Sequence, residues 1–138
     1  MAETFRLEIV TPERQLVAQD VRELVAPGTE GYFGVLPGHA PFVTTLDTGE
    51  LTYRADGSER RLAVCGGYAE VRRDRVVILA DRAERAEDID AARAQRARAR
   101  AEQRIQAWSN GDGAVDFARA RAALRRALAR LTVAGKGH

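Results

Sequence analysis

Arginine carries most of the chemistry this chain could perform. There are 21 arginines and a single lysine, Lys136, in 138 residues. Arg93, Arg96, Arg100 and Arg104 recur three or four apart, and Arg119, Arg121, Arg125, Arg126 and Arg130 crowd a second stretch. A guanidinium group stays protonated, and its fixed fork of N–H donors matches phosphates and carboxylates. Spacings of three and four bring such groups onto one face of a helix. The plain reading is a solvated charged stripe; the functional one is a surface for anions.

Other chemistry is scarce. His39 and His138 are the only histidines, and no cluster of Cys or carboxylate residues completes a metal site with them. The glycines from Gly28 to Gly38 lack the Gly-Lys-Ser/Thr ending of a phosphate loop. His39 lies in Pro37-Gly38-His39-Ala40-Pro41, a turn-rich loop in which a contact role outweighs that of a base. Cys65, followed by two glycines, reads as a small packing residue. The chain is expected to have no catalytic residues of its own, to require no cofactor and to bind no metal.

The elements that must position the arginines change character at about Ala86. Before it, short segments alternate apolar and polar residues. They are Phe5 to Ile9, Val21 to Val25, Phe42 to Leu46, Leu51 to Tyr53, Arg61 to Val64, Tyr68 to Val71 and Val76 to Leu79. Pro27-Gly28, Pro37-Gly38, Thr48-Gly49, Asp56-Gly57 and Gly66-Gly67 punctuate them, and Asp56-Gly57 is a hairpin signal. Residues 1–86 are therefore expected to form an all-β sandwich or flattened barrel. Residues 87–134 hold 15 alanines and 10 arginines but only 9 large apolar side chains. Both types favour helix, yet alanine buries little surface. The pattern predicts a first helix capped at Asp88, with Ala94, Ala97, Ala101, Ile105 and Trp108 on one face. A turn over 109–113 leads to a second helix from about Val115 to Val133, with Phe117, Ala120, Leu124, Leu128 and Leu131 aligned. An antiparallel hairpin follows, with residues 135–138 frayed. The fold class is α+β.

Charge follows the same boundary: residues 1–86 are net −3 and residues 87–138 net +5. The basic half calls for an acidic partner, which nucleic acid, anionic lipid or an acidic protein segment would supply. Nucleic acid is disfavoured, because the hairpin offers only Trp108 and Phe117 as stacking platforms and the acidic half repels phosphate. One cysteine suits a reducing compartment, and without a long apolar run the chain is expected to reach a membrane only through association.

Gly31-Tyr-Phe-Gly-Val-Leu-Pro-Gly-His-Ala-Pro41, Leu46-Asp-Thr-Gly49, Gly66-Gly-Tyr-Ala-Glu-Val71, Leu79-Ala-Asp81 and Arg85-Ala-Glu-Asp-Ile-Asp90 resemble the ε subunit of bacterial F-type ATP synthases, over about residues 4–133. The resemblance implies a non-catalytic rotor subunit, peripheral on the cytoplasmic face of the bacterial inner membrane. Its sandwich would bind the γ subunit and rest on the c-ring through Tyr32, Pro37, Gly38, His39, Ala40 and Pro41. Tyr32 departs from the polar or acidic residue common at that tip. The hairpin would be a switch, permissive when folded on the sandwich and inhibitory to ATP hydrolysis when extended into the α/β catalytic head. Docking such a thin hairpin contributes only a few kcal/mol at ~25 cal/mol per Å² less ordering costs. A preference of ~5 kcal/mol inverts even a lopsided two-state population.

The resemblance also implies a regulatory ATP site. Ile89-Asp90-Ala91-Ala92-Arg93-Ala94 is similar to the signature of ATP-binding members, and Arg126 with Arg130 matches their pair of arginines on the second helix. When extended, Arg119, Arg121, Arg125, Arg126 and Arg130 would face an acidic segment of the β subunits. The alternative is a free-standing ATP-sensing or nucleic-acid-binding protein that uses the basic hairpin.

Overall fold

The computed structural model describes residues 3–136. Eight strands come first: β1 Phe5–Val10, β2 Gln15–Val21, β3 Glu23–Gly28, β4 Gly31–Val35, β5 Phe42–Thr45, β6 Gly49–Ala55, β7 Ser58–Val71 and β8 Arg75–Arg85. A single 3-10 turn, Ala86–Asp88, leads into α1, Ala91–Ser109, and α2, Phe117–Lys136. The strand order is β2-β1-β8-β7-β6-β3-β4, with β5 added to β7. Every neighbouring pair is antiparallel except β1 and β8.

The long strand β7 turns this sheet into a sandwich. Its first half pairs with β6 and its last four residues with β5, while β8 accompanies it from Leu62 to Val71. The change of direction falls at Gly66 and Gly67, whose φ angles are +68° and +101°. Alternate residues of the strands point inward, among them Phe5, Leu7 and Ile9, Leu24 and Ala26, Leu51 and Tyr53, Leu62 and Val64, Val76 and Ile78. The period-2 pattern of the sequence thus becomes the core. Asp56 and Gly57 both take positive φ, 54° and 75°, in the two-residue connection of β6 to β7, as a type I′ hairpin requires.

Several boundaries differ from the sequence expectation. Val21 to Val25 is not one strand: β2 ends at Val21 and β3 begins at Glu23, so the chain turns within the apolar run. Pro27 and Gly28 lie inside β3, and residues 31–35 form β4, an outer strand in which Pro27 pairs with Tyr32. Asp88 is not the cap of α1. It closes the 3-10 turn and pairs with Arg85 at 3.7 Å, while the Asp90 carboxylate accepts the Arg93 N–H at 3.0 Å and caps the helix. The second helix starts two residues later than expected, after Asp116, whose carboxylate accepts the Arg119 N–H. It also continues through Gly135 and Lys136, where fraying was expected; residues 137 and 138 lie outside the described residues.

The hairpin seam is alanine on alanine. Ala94 and Ala101 of α1 and Ala120 and Ala127 of α2 are buried, a heptad apart on each helix. Of the face expected for α2, Ala120 is buried, Phe117, Leu124 and Leu131 are half-buried, and Leu128 is 40% exposed. Small side chains let the two backbones approach, and the wider leucines are left at the margins. Beside the turn that joins the helices Trp108 stacks on Phe117, with ring centroids 4.4 Å apart. The hairpin lies folded against the sandwich, where Val133 and Ala134 join Ala63, Ala86 and Ile89 in a small second cluster.

Candidate functional site: a basic cleft beneath the hairpin

Because that docking cluster is small, α2 meets the sheet only along part of its length. Beside it a cleft of about 390 Å³ opens between the hairpin and β7–β8. Arg93, Arg100 and Arg104 reach it from α1, Arg126 and Arg130 from α2, and Arg82 from β8. The opposing carboxylate is Glu84, and it is already engaged: its two oxygens lie 2.7 Å from Nε and 3.3 Å from Nη2 of Arg130. Among the described residues, the ion pairs of the two helices are Arg98–Glu102, Arg125–Asp47 and Arg130–Glu84. Arg82, Arg93, Arg100, Arg104 and Arg126 thus enter the cleft without a carboxylate partner. Unneutralised cations brought together repel one another, and a polyanion is the ligand that relieves this. The alanines and Cys65 on the same walls leave room beside the charges.

The second contact between helix and sandwich lies on the other side of α2. Arg125 Nη2 is 2.8 Å from Asp47 Oδ1 in the turn between β5 and β6. The Arg125 hydrogen bond, then the Thr48 N–H, hold the Asp47 carboxyl below its ordinary value of 3.8 against a smaller opposing effect of burial. A depressed carboxyl pKa stabilises the docked arrangement above the ordinary value, and that contribution is lost as pH falls through the lowered one. The prediction is a carboxyl-carbon NMR titration of Asp47 with a midpoint below 3.8, returning towards 3.8 in Arg125→Gln; a wild-type midpoint at or above 3.8 contradicts it.

The comparisons with known proteins cover both parts of the chain. Residues 4–86 match the family model for the ATP synthase delta/epsilon chain, β-sandwich domain, and residues 87–135 that for its long α-helix domain. The chain belongs to the ATP synthase delta/epsilon family. It is 52% identical over 136 residues to the ATP synthase epsilon chain of Syntrophobacter fumaroxidans, covering 99% of both chains. It is 50% identical over 135 residues to that of Nitratidesulfovibrio vulgaris, covering 98% of both. Among solved structures it is similar to a chain of the Euglena gracilis mitochondrial ATP synthase, with TM-score 0.80 and 26% identity over 95% of this chain and 81% of that one. These findings identify a bacterial-type epsilon subunit, a central-stalk accessory of the synthase. No helix among the described residues is long and apolar enough to cross a membrane.

For an epsilon subunit, the residues singled out from the sequence fall into three places. Arg93, Arg126 and Arg130 share the cleft. The remainder of the signature supports it from behind: Ile89 is buried in the docking cluster, Asp90 caps α1, and Ala94 packs in the seam. The cleft also takes in Arg82, Arg100 and Arg104, of which Arg100 and Arg104 follow Arg93 at helical spacing; Arg96 does not line it. Arg82 carried no signal, since only the crossing of β8 beneath the hairpin brings it there. Arg119 and Arg121 are exposed, with Arg119 beside Val115 and Ala120 near the hairpin tip.

The loop residues lie on the sandwich, with Tyr32 bordering a groove that α2 also lines. Tyr32 is 61% exposed on β4 and accepts the Glu50 N–H on its hydroxyl at 3.1 Å. Gly38, with φ +80°, donates to the Arg73 carbonyl, and the His39 N–H donates to that of Leu36. His39 Nδ1 donates to its neighbour's carbonyl, Ala40 O, at 2.8 Å, and the ring packs edge-on against Phe42. That fixes its tautomer and makes it a shaped surface element, with Pro37 half-buried and Ala40 and Pro41 exposed beside it.

Proposed function

We propose that this epsilon subunit couples rotation of the c-ring to ATP synthesis by binding the γ subunit and the ring through its sandwich, and that its hairpin restrains ATP hydrolysis when it leaves the sandwich and enters the α/β head. The folded hairpin is the state described above, and ATP in the basic cleft would hold it there. The observation that carries this reading is the convergence of five arginines without carboxylate partners from both helices and β8. A triphosphate bridging them ties α1, α2 and the sandwich together, and a ligand that binds only the folded form stabilises it by RT ln(1 + [L]/Kd). Arg125 and Arg130 are held by Asp47 and Glu84 in the folded form. Extension would release them, together with Arg119, Arg121 and Arg126, to face acidic β-subunit segments.

The test is ATP hydrolysis by the matching α/β/γ head with the full chain or with residues 1–86. The sandwich keeps its own core without the hairpin, so the shorter form is expected to fold. The expected result is inhibition by the full chain, relieved by millimolar ATP, and γ binding without inhibition by residues 1–86. Binding by both forms with inhibition by neither would leave the coupling role and remove the brake.

A further inference from the structure

The turn between β5 and β6 touches more of the molecule than a connection needs to. Its Leu46 N–H donates to Gly67 O at 2.8 Å and its Asp47 N–H to Pro27 O at 2.9 Å, which fastens it to both β7 and β3. Thr48 Oγ1 donates to Cys65 Sγ at 3.2 Å. Asp47 holds Arg125 of α2 at 2.8 Å. Immediately after the turn, the Glu50 N–H is bound by the hydroxyl of Tyr32, and Gly49 is so close beneath that ring that an added Cβ would come within 2.6 Å of the hydroxyl oxygen. Tyr32, Thr48, Gly49, Arg125 and Leu128 line one groove of about 370 Å³.

We infer that the turn at residues 46–49 is a latch that couples docking of α2 to the position of Tyr32 at the outer edge of the sandwich. The helix holds the turn through a charge-assisted bond, and the turn holds the tyrosine through its backbone. A displacement of Tyr32 by whatever meets that edge therefore shifts Glu50 and Gly49 and is felt at Asp47. Release of Arg125, in turn, frees the strand start on which Tyr32 rests. The coupling is reciprocal by linkage. It requires only the folded hairpin and stands apart from the nucleotide and inhibition readings.

Cys65 supplies the readout. It is the sole cysteine of the chain, and it lines the cleft roofed by Arg126 and Ala127 of α2, so undocking exposes it. The experiment is the rate of alkylation of the isolated full chain by iodoacetamide at constant pH. Asp47→Asn and Arg125→Gln are each expected to raise the rate about threefold, as suits a partly exposed pair. They change the charge near the thiol in opposite senses, so a common direction reports docking and opposite directions overturn the latch. Tyr32→Phe keeps the ring and loses the hydroxyl acceptor strength that orders Glu50. It is expected to raise the rate about twofold in the wild-type background and to add nothing in Asp47→Asn. A rate unchanged by Tyr32→Phe, or effects that simply multiply, overturns the coupling.

Discussion

Arg126→Ala is expected to lower the affinity for ATP between about tenfold and a hundredfold, measured by isothermal titration calorimetry on the full chain. The magnitude follows from the loss of one charge-assisted contact, about 1.5–3 kcal/mol where the surroundings keep water out. Arg126 is the informative choice because it lines the cleft without an ion pair of its own, so its removal does not also undo docking. Arg130→Ala would do both, since it also orphans Glu84. Arg98→Ala is the control: Arg98 pairs with Glu102 away from the cleft and is expected to leave affinity within about twofold. The same Arg126→Ala chain, added to the catalytic head, should inhibit less, since Arg126 is proposed to serve β-subunit contact after extension. Unchanged affinity would mean that the cleft does not hold phosphates, and unchanged inhibition as well would end the dual use of this arginine.

What the sequence made legible followed from short-range physics. Phe5, Leu7 and Ile9 announce a half-buried strand because side chains alternate, and Asp56-Gly57 announces a hairpin because both positions need positive φ. The alanine tract announces thin helices that must lean on something, and they do, on β7 and the 3-10 turn through Val133 and Ala134. What stayed hidden depended on contacts distant in the chain. The leucines of the α2 stripe are a reasonable core, yet full burial goes to Ala120 of that stripe and to Ala127 beside it, because close backbone approach in the seam outweighs side-chain size. Asp88 and Asp90 are equally good caps in isolation; Ile89 burying itself with Val133 pushes the helix start to Asp90. Of the cleft, the helix arginines were legible, while Arg82 and the engagement of Glu84 required knowing that β8 passes beneath α2. The Asp47–Arg125 pair, 78 residues apart in number and 2.8 Å apart in space, left no local trace.

Gly67→Ala is expected to destabilise the chain by about 3 kcal/mol or more, lowering the thermal unfolding midpoint by roughly 10 °C. Two causes act together. The φ of +101° is one that side chains with a Cβ rarely adopt, and the Cβ itself would meet the Leu79 carbonyl and the Ala80 backbone on β8. Neither obstacle is a flexible side-chain end, so the strand pair must separate. Gly113→Ala, where no heavy atom lies within 4 Å, is expected to stay within about 0.5 kcal/mol. The consequence extends beyond stability. The bend at Gly67 directs the first half of β7 under the hairpin, with Ala63 in the docking cluster and Cys65 in the cleft, and the second half towards β5 and the surface that carries Phe42 and His39. It also supplies the carbonyl that anchors Leu46 of the latch. A chain that tolerated Gly67→Ala with an unchanged midpoint would show that the two halves of β7 move independently, and the hairpin dock and the loop surface would then have no common rigid frame.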